Sequence, residues 1–239
     1  MGRLFLVRHA QASFFAANYD KLSELGETQA RLLGEHWATR KLHFDRIASG
    51  PAARHRHTAQ LVADAYRRSN ASLPGTLIIP EFDEFQGEAI LSSGLPQLLS
   101  TNDRIRDLHS AMQEAGNDGE KRAAFQRLFE TVISMWVDGV IIVGSVEAWP
   151  DFCARVKRAL SAFLSEGKRA ETSVIFTSGG PVAVAVQRAL HLSPQDTLQI
   201  AWMSRNCSYT EFLFSRDRLT LSSFNAFPHL TEDALLTYR

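Results

Sequence analysis

Cysteine is nearly absent from this chain: Cys153 and Cys207 are the only two in 239 residues. They form no metal-type spacing, and an isolated pair is the usage of a reducing compartment. Both read as small buried side chains. Excess charge of either sign is also missing, since 26 basic residues balance 26 acidic ones. A global field that gathers nucleic acid or an anionic membrane surface is thereby excluded, so any anion must be held locally. No apolar run approaches the roughly 20 residues that span a bilayer. The first strand follows Met1 at once, leaving no room for the charged and apolar regions of a signal peptide. The start MGRLFL lacks the Ser or Thr of a myristoylation site. These absences lead to the expectation of a cytoplasmic protein with neither nucleic acid nor membrane as partner. The sequence does not indicate the oligomeric state.

What is present is strand followed by helix, repeated. After LFLVR, the segment LSELGETQARLLGEHWATRKL puts Leu25, Leu32, Leu33 and Trp37 on one helical face, with Ser23 as N-cap. FDRIAS (44–49) reads as a short strand. GPAARHRHTAQLVADAYRRS follows, with Pro51 where a first helical turn tolerates it and Thr58, Leu61, Val62 and Ala65 along one stripe. GTLIIP (75–80) is another strand, and WPDFCARVKRALSAFLSEG a helix with Phe152, Val156, Leu160 and Phe163 on one face. SVIFTSGGPVAVAVQRAL is strand, glycine turn and helix. TLQIAW, SYTEFLF and RLTLSSF read as strands, the last two joined as a hairpin through SRDR. Such alternation predicts a three-layer α/β/α sandwich around a mostly parallel, mixed sheet. Between about 95 and 137 the pattern breaks into two helices, one marked by Ile105, Leu108 and Met112, the other by Phe125, Leu128, Phe129, Val132 and Trp136. The expectation is a single domain over 1–239 with this helical insertion as a cap at the active edge.

The stretch RLFLVRHAQAS (3–13) runs a core strand straight into Arg8 and His9. A permanent cation and an imidazole there are costly to desolvate unless an anion meets them. In a doubly wound sheet, ligands bind beyond the C-terminal ends of strands, beside helix N-termini. Arg54, in the first turn of the second helix, falls there too, where the dipole favours an anion. So do Ser178, Gly179 and Gly180, between a strand and its helix. Glu84 follows the third strand in IPEFDEFQGE, with Glu81 as the competing carboxylate. Two arginines, an imidazole and two helix N-termini describe a phosphate site, and a carboxylate at its rim describes a general acid. His55 and His57 flank Arg56 and, two apart on a helix, do not share a face. Both read as surface residues, and His229 reads as structural.

These segments resemble the histidine phosphatase superfamily, also called phosphoglycerate mutase-like. LVRHAQ resembles its R-H-G motif, SGPAARHRHTAQ its S-P-x-x-R-x-x-x-T-A segment, and NYDKLSELGETQARLLG its L-T-x-x-G-x-x-Q-A helix. FDEF resembles the segment that supplies the acid, FTSGGPVAVAV the strand, turn and helix that supply a second histidine, and NCSYTEF the late N-x-S-x-T strand. The resemblance covers nearly the whole chain in order. It implies a phosphomonoester phosphatase in which His9 attacks phosphorus to form a phosphohistidine, and Arg8 and Arg54 neutralise the equatorial oxygens. Glu84 protonates the leaving oxygen, and Asn18, Ser178 and Gly179 contact substrate. The partner is a small phosphate ester, with no metal and no cofactor.

Two departures stand out. Ala10 replaces glycine after the histidine. Ser178 stands where the family has its second histidine, in S-H-G-G. A charged donor contributes about 1.5–3 kcal/mol and a neutral one about 0.5–1.5, so the loss is ~1–3 kcal/mol, or roughly ten- to a hundred-fold in rate. That leaves two functional readings: a weakened phosphatase, or a non-catalytic binder of phosphate ligands. The mutase branch fits less well, because RHAQASFFAANYD has no tryptophan where the mutases carry W-N. Phe14 and Phe15 either rim the site or pack inward.

Overall fold

From Leu4 to Val7 every side chain of the first strand is buried, as in a strand covered on both faces. The computed structural model of the chain describes residues 1–13, 20–144, 146–168, 170–215 and 218–238. Its strands are β1 (Gly2–Arg8), β2 (Arg46–Ser49), β3 (Thr76–Ile78), β4 (Thr172–Thr177), β5 (Tyr209–Ser215) and β6 (Arg218–Ala226). They form one six-stranded sheet of order β3-β2-β4-β1-β5-β6. β1, β2, β3 and β4 run parallel, with Arg8 opposite Thr177. β5 and β6 run antiparallel, so the sheet is mixed.

The helices are α1 (Glu24–Thr39), α2 (Ala53–Arg68), α3 (Gly87–Thr101), α4 (Asp103–Gln113), α5 (Asp118–Val137), α6 (Trp149–Ser165), α7 (Gly179–Leu190) and α8 (Pro194–Met203). Two compact units result. One comprises Met1–Glu84 with Arg155–Arg239, the other Phe85–Ala154. In the first, Phe5, Val7, Ile47, Val174 and Phe176 meet Leu33 and Trp37 of α1 and Val62 and Tyr66 of α2 in one core. The alternate residues Leu4, Leu6 and Ile175 are buried as well, and α7 packs on β1 and β6. Ser23 caps α1 by accepting from the Gly26 amide at 3.0 Å. Among the described residues no helix is long and apolar enough to cross a membrane. Both cysteines are buried.

TLQIAW is not a strand. It lies in α8, where Ser193 accepts from the Asp196 amide, Pro194 occupies the first turn, and Thr197, Leu198 and Ala201 form the buried stripe. The β-branched residues suggested a strand, but the cap and the 3.6-residue spacing decide the outcome. Helix formation in the second unit also starts earlier than about residue 95. α3 begins at Gly87 and buries Ile90, Gly94 and Leu98, a four-residue spacing obscured in sequence by Pro96 and neighbouring serines.

α1 and α2 lie against each other at Gly34, where an added Cβ would sit 2.6 Å from the Ala65 Cβ and 2.9 Å from the Val62 backbone. Gly34→Ala gains about 1 kcal/mol of helix propensity but overpacks a backbone contact, which costs typically 1–3 kcal/mol. A net loss of stability is expected in urea unfolding. A variant more stable than wild type would mean that the helices separate freely here.

Candidate active site

The C-terminal ends of β1 and β4 deliver Arg8, His9 and Ser178 to one end of the sheet, where the strand order departs from the chain order. The backbone of His9 is fixed on both sides. Its amide donates to the Thr177 carbonyl at 2.7 Å, and its carbonyl accepts from the Cys207 amide at 3.1 Å and Asn206 Nδ2 at 3.4 Å. The next amide, Ala10, donates to Thr58 Oγ1 at 3.1 Å, and that hydroxyl donates to the Arg54 carbonyl at 2.7 Å. The turn after β1 is thus tied to the first turn of α2.

Within that frame His9 Nδ1 lies 2.7 Å from the Ala10 carbonyl oxygen. A carbonyl only accepts, so Nδ1 carries the proton and Nε2 of the neutral ring carries the lone pair. His9 is buried. Burial first, then the Arg54 guanidinium, the neighbouring His55 ring and the Arg8 guanidinium, hold its pKa well below the ordinary 6.5. The ring is neutral at physiological pH.

Arg8 reaches back with Nη1 to the Ser204 carbonyl. Arg54 is placed by a residue that sequence reasoning passed over. Ala52, the N-cap of α2, has no side chain to cap it, and Asp20 does so from another segment. Its carboxylate accepts from the Ala53 amide at 2.7 Å, the Arg54 amide at 3.3 Å and Arg54 Nη1 at 2.8 Å. A carboxylate at a helix N-terminus is stabilised by the dipole, and here it also aims a guanidinium. Asp20 sits outside any periodic pattern, so no local signal marks it.

Ser178 is the N-cap of α7, yet its side chain makes no capping bond. Instead Oγ lies 2.6 Å from His55 Nε2 and accepts from Arg54 Nη2 at 3.5 Å. His55 is therefore not the surface residue its sequence position suggested. It is fully buried, with its ring centroid 5.6 Å from that of His9, while Arg56 is exposed and His57 half-buried. The signal was available, because His55, Thr58, Ala59 and Val62 fall at i, i+3, i+4 and i+7 of the buried face of α2. Burial first, then Arg54, keeps the His55 pKa well below its ordinary value.

At Gly179 a Cβ would lie 3.2 Å from the Ala201 carbonyl oxygen and 3.8 Å from Arg8 Nε, so this backbone comes close to the Arg8 guanidinium. Glu84 follows a 3₁₀ turn at Pro80–Phe82, and its Oε2 accepts from the Gly180 amide at 3.1 Å. Glu81 is exposed. The structure thus brings Arg8, His9, Arg54, Ser178, Gly179 and Glu84 to one place and adds His55 and Asp20. Asn18, Phe14 and Phe15 lie outside the described residues. Among the described residues no group of His, Cys, Asp and Glu side chains is arranged to hold a metal. The arrangement offers a neutral imidazole, two guanidinium groups and a carboxylate beside two helix N-termini, a set whose chemistry suits an anionic phosphoryl group.

The model of the histidine phosphatase superfamily (branch 1) matches residues 4–87 and 82–226. No curated protein matches the chain. Among solved structures, the α-ribazole phosphatase from Shigella flexneri is 19% identical over 94% of this chain and 96% of its own, with a TM-score of 0.59. A mycobacterial glucosyl-3-phosphoglycerate phosphatase is 18% identical over 95% and 99%, with a TM-score of 0.60. The phosphoglycerate mutase from Bacillus anthracis str. Sterne is 15% identical over 96% and 95%, with a TM-score of 0.61. At these identities the likeness is one of fold.

Three buried histidines are held neutral in the folded chain: His9, His55 and His229, the last lowered to about 3 chiefly by burial and then by His36. Unfolded, each titrates near 6.5. Their folded-state pKa values are depressed, so below pH 6.5 the unfolded chain takes up protons that the folded chain refuses, and stability falls with pH. The slope is up to about 1.4 kcal/mol per pH unit for each ring, continuing until the folded pKa is reached. The urea midpoint should be level above pH 7.5 and drop from pH 7 to 5, and His229→Phe should flatten the drop. A midpoint constant from pH 7 to 5 contradicts the neutral assignment.

Proposed function

The chain belongs to the histidine phosphatase superfamily (branch 1), and from that membership we propose that it hydrolyses small phosphomonoesters through a phosphorylated His9. The observation that carries this reading is the His9 Nδ1–H bond to the Ala10 carbonyl at 2.7 Å, beside the Arg8 and Arg54 guanidinium groups. It leaves a neutral Nε2 lone pair facing the place where an anion is attracted. In the first displacement Nε2 bonds to phosphorus and the ester P–O bond breaks, its electron pair leaving with oxygen. Glu84 gives that oxygen a proton. In the second, Glu84 takes a proton from water, whose oxygen displaces the imidazole and regenerates His9 with inorganic phosphate. Arg8, Arg54 and the α7 N-terminus meet the charge on the equatorial oxygens throughout.

Support for a small phosphorylated substrate comes from the structural neighbours, an α-ribazole phosphatase, a glucosyl-3-phosphoglycerate phosphatase and a phosphoglycerate mutase. Glu84 is favoured over Glu81 as acid because Glu84 reaches the start of α7 and Glu81 is exposed. The uncharged Ser178 favours one second reading, a phosphate-ligand binder without turnover.

His9→Ala should abolish release of p-nitrophenol from p-nitrophenyl phosphate, and with it any acid-labile phosphoryl label, while the thermal melt stays cooperative. Turnover at the wild-type rate would move the nucleophile elsewhere. Phosphate binding by a wild-type protein that never turns over would establish the binder reading instead.

Glu84→Gln should slow hydrolysis of alkyl phosphates by about 10²–10⁴-fold, the usual contribution of a positioned acid. Nitrophenyl phosphate should suffer far less in its first displacement, because nitrophenolate leaves without a proton. Equal burst-phase losses on both substrates would exclude Glu84 as the acid.

A further inference from the structure

The hydroxyl of Ser178 has one proton and two lone pairs, and three groups compete to define which way that proton points. Arg54 Nη2 can only donate, so it occupies one lone pair from 3.5 Å. The helix makes no claim, since Ser178 does not cap α7 with its side chain. The third group is His55 Nε2 at 2.6 Å. If Nε2 accepts, the serine proton is consumed there and a bare oxygen lone pair is left for the bound anion to meet. If Nε2–H donates, both lone pairs are used and the proton is left over to serve as a donor.

The surroundings of the other ring nitrogen choose between these. His55 Nδ1 is buried and has no hydrogen-bond partner among the described residues. A buried N–H without an acceptor is among the rarest and costlier defects of a native structure, and a bare ring nitrogen is less so. The proton therefore belongs on Nε2. The fold also keeps space for this ring, because a Cβ at Gly50 would sit 2.5 Å from His55 Nδ1.

We infer that His55 is a positioning residue: entering from α2, it donates through Nε2–H to Ser178 Oγ and, with Arg54, turns the serine proton outward as a fixed donor to a phosphoryl oxygen beside His9. The inference rests on the phosphatase reading for the identity of the anion, but not for the hydrogen bond itself. The Ser178–His55 pair, rather than Ser178 alone, then stands where the family carries a second histidine. It supplies a neutral donor without a titrating ring against the phosphate.

Two measurements test it. In protein with ¹⁵N-labelled imidazoles at pH 7.5, the His55 signal, identified by its absence from His55→Gln, should show the Nε2–H tautomer and shift in Ser178→Ala. An Nδ1–H tautomer, or a signal indifferent to Ser178→Ala, overturns the inference whatever the activity of the protein. The second measurement is a cycle on p-nitrophenyl phosphate turnover and on vanadate affinity. Ser178→Ala and His55→Leu should each lower kcat/KM and vanadate affinity by roughly three- to ten-fold, the size of one neutral hydrogen bond. The double variant should be no worse than either single one. His55→Gln, whose amide N–H reaches the same oxygen, should recover most of the loss. Effects that multiply in the double variant, or a Gln variant as poor as Leu, overturn the inference. Should His55→Leu fail to fold, the Gln variant and the tautomer still decide. A wild type with neither turnover nor vanadate binding defeats the phosphatase reading alone, and the tautomer then judges the hydrogen bond separately.

Discussion

A buried imidazole placed among guanidinium groups is tolerable only when it is neutral. This constraint organises the site. A protonated His9 would add a further positive charge at a buried position where Arg54 and Arg8 already act. The hydrogen bond from Nδ1–H to the Ala10 carbonyl settles which nitrogen keeps the proton. Everything that fixes the Ala10 carbonyl therefore fixes the His9 ring: the pairing of β1 with β4, the Cys207 and Asn206 donors to His9, and the Thr58 hydroxyl that ties the turn to α2. The guanidinium groups themselves are held in place, Arg8 by the Ser204 carbonyl and Arg54 by Asp20.

Much of this was legible in the sequence because the relevant signals are local. The apolar run of β1 ending in Arg8 and His9, the Pro51 and stripe of α2, and the T-S-G-G-P turn into α7 each announce strand or helix within a few residues. TLQIAW misled because apolar and β-branched residues fit either state, and the deciding features, the Ser193 cap and Pro194, lie just outside it. α3 was partly hidden because Gly94 and Pro96 lower its propensity while tertiary burial of Ile90 and Leu98 sustains it. The site residues that escaped share one trait. Asp20 acts across a gap of more than thirty residues on Arg54, and His55 acts across more than a hundred on Ser178. Such pairings depend on topology, not on neighbours in the chain.

Set against the family pattern that the sequence resembles, an uncharged Ser178 looks like a plain defect. In the structure the hydroxyl is neither a helix cap nor idle. Its partner His55 belongs to the same first turn that carries Arg54, so one short stretch, Arg54-His55, both supplies a cation and engages the serine. The His55 imidazole stays neutral there for the same reason as His9: burial and a nearby guanidinium.

The stereochemical course at phosphorus tests the central claim, transfer through His9, most directly. With a phosphomonoester made chiral by three oxygen isotopes and hydrolysed in the presence of an alcohol acceptor, two in-line displacements return the phosphoryl group with its configuration retained. The account predicts retention. Inversion would mean that the acceptor attacks phosphorus directly, with His9 only part of the anion's surroundings.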